Sequence, residues 1–287
     1  MNINERTGPA VGTDREVTSG VVEAMTIAPP PPAHEPMGFF TDATICIGCK
    51  ACEVACKQWN ALPSDGMKWS GQSYDNTLHL SATTWRHVSF TEQALSDGGV
   101  KWLFNSDVCK HCTAAPCQEA CPTGALIRNE YDDVYVQNDV CNGCGYCVAA
   151  CPFGVLGRSE HDGGVHKCTL CYDRQRDGFE PACAKACPTA SIHFGPVSQL
   201  KEQARRRVED LHARGETNAY LYGADDAGEY KALNAFFLLT DEPAAYNLPQ
   251  APRRPSVKMP QRYMWSAAVG IGLSLVSALA LAGSKGE

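Results

Sequence analysis

The chain has no surplus of positive charge. Its 25 lysines and arginines are outnumbered by 32 aspartates and glutamates, which leaves a net charge of −7 over 287 residues. Because proteins that bind nucleic acid usually present a basic surface, this balance argues against a nucleic-acid partner. The first 36 residues also lack the apolar run of a secretory signal and an adjacent pair of arginines, so we expect any export to depend on a partner protein.

The sequence also shows no recognisable set of catalytic residues. One histidine, His111, lies between two cysteines, but a single histidine in such a loop is more often structural than catalytic. We therefore predict no catalytic residue in this chain.

Cysteine, by contrast, is abundant, and every cysteine belongs to one repeated pattern. The sixteen cysteines form four groups of four: 46/49/52/56, 109/112/117/121, 141/144/147/151 and 168/171/183/187. The third group has the spacing C-x2-C-x2-C-x3-C-P, which is the iron–sulfur run of bacterial ferredoxins. Zinc is the competing interpretation, because C-x2-C pairs also build tetrahedral sites, although zinc ribbons use two pairs. A disulfide framework has no need of such repeated short pairs.

The second and third groups are separated by a predicted β-hairpin. Residues 125–129 and 134–137 are strand-like and flank a turn at 129–133. Two cysteine groups joined by one hairpin resemble a two-cluster ferredoxin over residues 107–157. After Cys187 the sequence C-P-T-A-S-I-H-F matches C-P-T-G-A-L-I-R after Cys121. This internal repeat predicts that the first and fourth groups form a second ferredoxin half, with the central one inserted into it.

The predicted fold is therefore α+β, with two nested ferredoxin-like halves, loop insertions and a C-terminal transmembrane helix. The expected domain organisation has five parts: a disordered tail over 1–36, a nested ferredoxin domain over 37–197, a helix and strand extension over 198–245, a linker over 246–264 and a membrane anchor over 265–283.

The four spacings in order resemble the four-cluster iron–sulfur subunits of the dimethyl sulfoxide reductase family, and most of all the β subunit of formate dehydrogenase. The resemblance is carried by C-I-G-C-K-A-C-E-V-A-C-K-Q-W-N from Cys46, C-N-G-C-G-Y-C-V-A-A-C-P-F-G from Cys141 and K-C-T-L-C-Y-D-R from Lys167. It covers about residues 38–285 and implies four [4Fe-4S] clusters, because all sixteen cysteines are present.

The resemblance also implies the ligands, since the fourth cysteine of each ferredoxin run binds the other cluster. The four implied sets are Cys46, Cys49, Cys52 and Cys187; Cys56, Cys168, Cys171 and Cys183; Cys109, Cys112, Cys117 and Cys151; and Cys121, Cys141, Cys144 and Cys147. Lysines within or beside the motifs could raise cluster potentials, or could be solvated charges. These lysines are Lys50, Lys57, Lys110, Lys167 and Lys185.

The implied function is electron transfer. Electrons would come from a molybdopterin-containing catalytic α subunit that oxidises formate and would pass to a membrane γ subunit, a cytochrome b or another quinone-linked protein. The alternatives are the same role in a dimethyl sulfoxide reductase, polysulfide reductase or hydrogenase complex, and a zinc-stabilised scaffold. Trp59, Trp69, Trp85 and Trp102 are expected in the core, or else on a docking surface.

The C-terminal segment from Trp265 to Ala282 has no charged residue, which predicts a single-pass anchor and a location at the cell membrane. Four basic residues precede it and one follows, which favours a cytoplasmic globular part. Relatives of this family are often on the outer face, so the side is left open.

Overall fold

The computed structural model describes residues 35–66, 69, 71, 74–96, 98–225, 228–230 and 232–283. Almost all of the predicted disordered tail, residues 1–34, lies outside the described residues. The strands are β1 Met37–Asp42, β2 Arg86–Ala94, β3 Val100–Val108, β4 Leu126–Arg128, β5 Val134–Val136, β6 Gly157–Arg158, β7 Val165–His166, β8 Ile192–Pro196, β9 Tyr220–Tyr222 and β10 Ala235–Leu239. The helices are α1 Ala51–Trp59, α2 Pro116–Glu119, α3 Tyr146–Ala150, α4 Tyr172–Arg176, α5 Ala182–Lys185, α6 Val197–Ala213 and α7 Met259–Gly283.

A four-stranded sheet with the order β8-β1-β10-β9 joins distant parts of the chain. β1 pairs with β8 in antiparallel fashion and with β10 in parallel fashion. α6 packs on this sheet and buries Leu200, Ala204 and Leu211 against Phe40. β1 precedes the first cysteine group, whereas β8, β9 and β10 follow the last one. The sheet therefore joins the two ends of the segment that carries the cysteines.

The remaining strands form three hairpins. β2 pairs with β3, β4 with β5 and β6 with β7. The predicted hairpin between the second and third cysteine groups is confirmed, because Leu126 lies opposite Val136 and Arg128 opposite Val134. The main core lies between these hairpins and the sheet, and it includes both aliphatic residues and cysteines of all four groups. Cysteines therefore occupy positions that apolar residues fill in an ordinary core.

The prediction of a membrane anchor over residues 265–283 is wrong. In the part of the chain that the structure describes, no helix combines the length and the apolarity needed to cross a bilayer. α7 covers this segment, but Ser266, Gly270 and Ser274 interrupt its apolar residues. The serine hydroxyls turn back to the helix, as when Ser274 Oγ donates to the Gly270 carbonyl at 2.8 Å. The predicted location at the cell membrane depended on this anchor and is therefore not supported either.

Candidate metal centres

The four cysteine loops share one backbone feature. The residue directly before the second cysteine of each group is left-handed, with φ of +65° at Gly48, +42° at His111, +68° at Gly143 and +54° at Leu170. Glycine adopts this conformation at little cost, whereas His and Leu must be held there by their surroundings. Both are completely buried. The four loops therefore make the same bend with three different residue types.

A helix after each bend carries a cysteine, although in the fourth group α4, which has none, comes before α5. Cys52 and Cys56 lie on α1, Cys117 on α2, Cys147 on α3 and Cys183 on α5. In the second group, for example, Cys109, Cys112 and Cys117 all belong to the buried core.

The first group meets the end of the fourth. A cavity is lined by Cys46, Cys49, Cys52 and Cys187. More than 130 residues of chain separate the third of these cysteines from the last. Strand pairing between β1 and β8 brings them together, because β1 leads into the first loop and β8 follows Cys187.

The second group meets the end of the third. A second cavity is lined by Cys109, Cys112, Cys117 and Cys151. Both cavities thus contain the four cysteines that the resemblance implied as one ligand set. Burial raises the pKa of Cys112 well above its ordinary value, and the charges of Cys109 and Cys151 raise it further.

Electrostatic interactions also link several of the remaining cysteines. Burial raises the pKa of the Cys56 thiol, and the charges of Cys183 and Cys171 add to that rise. Burial likewise raises the pKa of Cys147 to about 11, with contributions from Cys121 and Cys141.

Cys144 lies in the loop between Cys141 and α3, and it is exposed, as is Cys49 in the first loop. The other fourteen cysteines are buried or partly buried. A ligand cysteine at the surface leaves a bound cluster near the edge of the protein, where a partner could approach it.

The donor set fits iron–sulfur clusters. All sixteen thiols are free rather than joined in disulfides. Among the residues the structure describes, no three Cys, His, Asp or Glu side chains converge as they would around a single metal ion; eight of the cysteines instead line the walls of two cavities. Thiolate sulfur alone, without oxygen or nitrogen donors, suits iron–sulfur clusters. Burial raises the pKa of Cys52 to about 11 and of Cys117 to about 12, so cluster binding must displace protons from these thiols.

The five predicted tuning lysines separate into two kinds. Lys110 and Lys167 are completely buried. Lys110 Nζ donates to the Val108 carbonyl at 2.7 Å, and Lys167 Nζ donates to the Cys168 carbonyl at 2.8 Å. The other three, Lys50, Lys57 and Lys185, are partly or largely exposed. Each of these three forms an ion pair with a carboxylate, as does Lys110 with Asp107.

Sequence reasoning missed Arg86 and assigned no role to His111. Both are buried, and several of their ring or guanidinium nitrogens have no partner among the described residues. Burial lowers the pKa of His111 well below its ordinary value, so its ring is neutral. The sequence carries no signal for Arg86, because it stands at the start of an ordinary strand, far from any motif.

The tryptophans do not fill the core as expected. Trp59, Trp69 and Trp102 are exposed, Trp69 by 88%, and Trp85 is partly buried. Trp59 Nε1 donates to Asp173 at 2.8 Å, which holds its ring at the surface beside the fourth motif. Exposed tryptophans are consistent with the alternative of a docking surface.

Comparison with known proteins agrees with this geometry. The chain matches two family profiles described as 4Fe-4S dicluster domains, one over residues 45–125 and one over residues 100–197. Two such domains account for four [4Fe-4S] clusters, which excludes the zinc scaffold.

Similar curated proteins cover most of the chain. The formate dehydrogenase iron–sulfur subunit of Haemophilus influenzae is 39% identical over 252 residues, 86% of this chain and 80% of the relative. The nitrate-inducible formate dehydrogenase iron–sulfur subunit of Escherichia coli is 40% identical over 216 residues, 74% and 72% of the two chains. The B subunit of the anaerobic dimethyl sulfoxide reductase of Escherichia coli is 34% identical over 166 residues, 58% and 76% of the two chains. The protein therefore belongs to the family of formate dehydrogenase iron–sulfur subunits.

Proposed function

We propose that this chain is the electron-transfer subunit of a formate dehydrogenase complex. It would accept electrons from a molybdopterin-containing catalytic subunit and pass them through four [4Fe-4S] clusters to a cytochrome b or another quinone-linked partner. Formate loses two electrons and one proton when it becomes carbon dioxide, and each cluster carries one electron at a time. The observation that supports this role is the complete set of sixteen cysteines in a chain of this family, without a substrate-reacting site among the described residues.

Each cluster would be held by the ligand set that the ferredoxin pattern implies. One outer cluster would use Cys46, Cys49, Cys52 and Cys187, and the other would use Cys56, Cys168, Cys171 and Cys183. One inner cluster would use Cys109, Cys112, Cys117 and Cys151, and the other would use Cys121, Cys141, Cys144 and Cys147. The two cavities, each lined by a complete set, support this nested arrangement.

The exposed ligands suggest where electrons enter and leave. Cys49 is exposed beside Ile47, which is also exposed, and Cys144 is exposed beside Tyr146. Apolar and aromatic residues at the surface favour protein contacts. A partner docked at either loop would bring its own redox centre close to a cluster. These loops belong to an outer and an inner cluster, respectively, so electrons entering at one would cross both halves to reach the other.

A second candidate is the same role in a dimethyl sulfoxide reductase complex, in which electrons would flow toward the catalytic subunit. The relative with that name, similar over 58% of this chain, favours it as the alternative. The direction of flow separates the two, because one catalytic subunit would reduce the clusters and the other would oxidise them.

The test uses the native complex purified without oxygen. We expect formate to bleach the visible absorbance of the clusters and to produce the electron paramagnetic resonance signals of reduced [4Fe-4S] clusters. The isolated chain, a matched control without the catalytic subunit, should not respond to formate. Clusters that ignore formate, but are reoxidised by dimethyl sulfoxide after chemical reduction, would refute the first function and support the second.

A further inference from the structure

Arg86 is a buried cation without a carboxylate partner. It begins β2, and only 1% of its surface is exposed. Among the described residues it forms no ion pair with Asp or Glu, and its Nε and Nη2 atoms have no hydrogen-bond partner. Its guanidinium instead lies over the ring of Phe39, with 4.7 Å between Cζ and the ring centroid. An unpaired buried charge is strongly destabilising, so a counter-charge must face it in the functional protein.

The groups whose charge acts on Arg86 are cysteines. Burial lowers the pKa of Arg86, whereas the charges of Cys183, Cys52, Cys168 and Cys56 raise it above its ordinary value. Arg86 acts in return on the pKa values of Cys52 and Cys56, which it lowers. Cys52 belongs to one proposed outer cluster, and the other three cysteines belong to the second.

A direct hydrogen-bond chain also connects Arg86 to one ligand. Nη1 of Arg86 donates to Ser106 Oγ at 3.0 Å, and Ser106 Oγ lies 3.3 Å from Cys52 Sγ. Because a ligating thiolate can only accept, the Ser106 hydroxyl must donate its hydrogen to that sulfur. The arginine therefore polarises a hydroxyl that bonds a cluster ligand.

We propose that Arg86 is a positioning and tuning residue shared by the two outer clusters, and that its charge and the N–H bonds of its two unpartnered nitrogens, Nε and Nη2, favour the reduced state of both. A cluster held by four thiolates carries net negative charge, which grows by one when an electron is added. A fixed cation and hydrogen bonds to sulfur stabilise that added charge and raise the reduction potential. This inference rests on the proposed ligand sets of the outer clusters.

The test is redox potentiometry of the full-length protein with all clusters, followed by electron paramagnetic resonance. Arg86→Met should make the outer two clusters at least tenfold harder to reduce, a shift of about 59 mV for one electron. Arg86→Lys, which keeps the charge, should retain most of the potential. The outer clusters are identified by the signals lost in Cys49→Ser and Cys171→Ser. The control is Arg206→Gln, which removes a cation from the exposed face of α6 and should change nothing.

Unchanged potentials in Arg86→Met with about sixteen irons bound would overturn the proposal. If that variant loses its clusters, Ser106→Ala decides, because it leaves the arginine in place. It should lower the potential of the Cys52 cluster alone, and an unchanged potential there would also overturn the proposal. Neither of these results would contradict the proposed function, which is tested separately by the reduction of the wild-type complex with formate.

Discussion

Removal of the buried charge of Lys167 should lower the potential of the clusters beside it. Lys167 is 2% exposed, and its ammonium group donates to the carbonyls of Val134 and Cys168. Burial lowers its pKa, but the charges of Cys109, Cys117 and Cys168 raise it above its ordinary value, so the side chain stays charged. Lys167→Met keeps most of the apolar stem and removes that charge.

The size of the effect follows from Coulomb's law. At an effective dielectric constant of about 20 and a separation of roughly 6 Å, a unit charge contributes about 3 kcal/mol to the energy of an added electron. For a one-electron couple this energy corresponds to about 120 mV. Water screens an exposed charge, so a surface lysine should contribute far less. Lys185, which is 72% exposed and paired with Glu180 at 3.6 Å, provides the matched control in Lys185→Met.

Potentiometric titration of the two variants and the wild type gives the comparison. We expect Lys167→Met to lower the potential of the clusters that contain Cys117 and Cys168 by about 100 mV, as estimated from the same Coulomb energy. Lys185→Met should leave all four potentials where they are. Equal shifts in both variants, or no shift in Lys167→Met at full iron content, would refute the idea that burial makes a lysine effective.

Three further predictions concern stability and cluster retention. Phe40→Ala in the completely buried face under α6 should lower the free energy of unfolding by about 3–5 kcal/mol in anaerobic urea titrations, whereas Leu95→Ala at an exposed turn should change it little. Gly143→Ala should release about four irons, because its Cβ would lie 2.0 Å from a carbonyl oxygen, while Gly124→Ala, with φ also positive but open space around it, should keep them all. Burial raises the pKa of Asp133 to about 7, so its contribution to stability is full below about pH 4 and is lost as the pH rises through 7; Asp133→Asn should flatten that part of the stability–pH curve.

Local sequence patterns predicted the local structure well. The predicted hairpin between the second and third cysteine groups forms with its turn in place. The helix and strand extension expected over 198–245 begins with α6, which covers Val197–Ala213. Pro196 occupies the cap position of this helix, and the Ser198 hydroxyl donates to Glu35 rather than capping it. The spacing of apolar residues is enough to predict a helix. The hydrogen-bond partner of a serine hydroxyl, however, depends on which distant residues the fold brings next to it.

The features that the sequence could not reveal depend on distant chain segments. The parallel pairing of β1 with β10 joins residues almost 200 positions apart. Arg86 lies outside every motif, and only its burial beside four cysteines makes it notable. The anchor prediction was wrong, because no helix among the described residues is both long enough and apolar enough to cross a bilayer. The cysteine spacing predicted the ligand loops correctly, because each loop is formed by residues that are close together in sequence.

The nested arrangement of the clusters is tested most directly by two serine variants that are far apart in sequence. Cys49→Ser and Cys187→Ser should abolish or alter the same cluster signal in electron paramagnetic resonance, because both residues line one cavity. The other three signals and about twelve irons should remain in each variant. Loss of two different clusters would mean that the first and fourth motifs do not share a cluster, and the nested arrangement would be wrong.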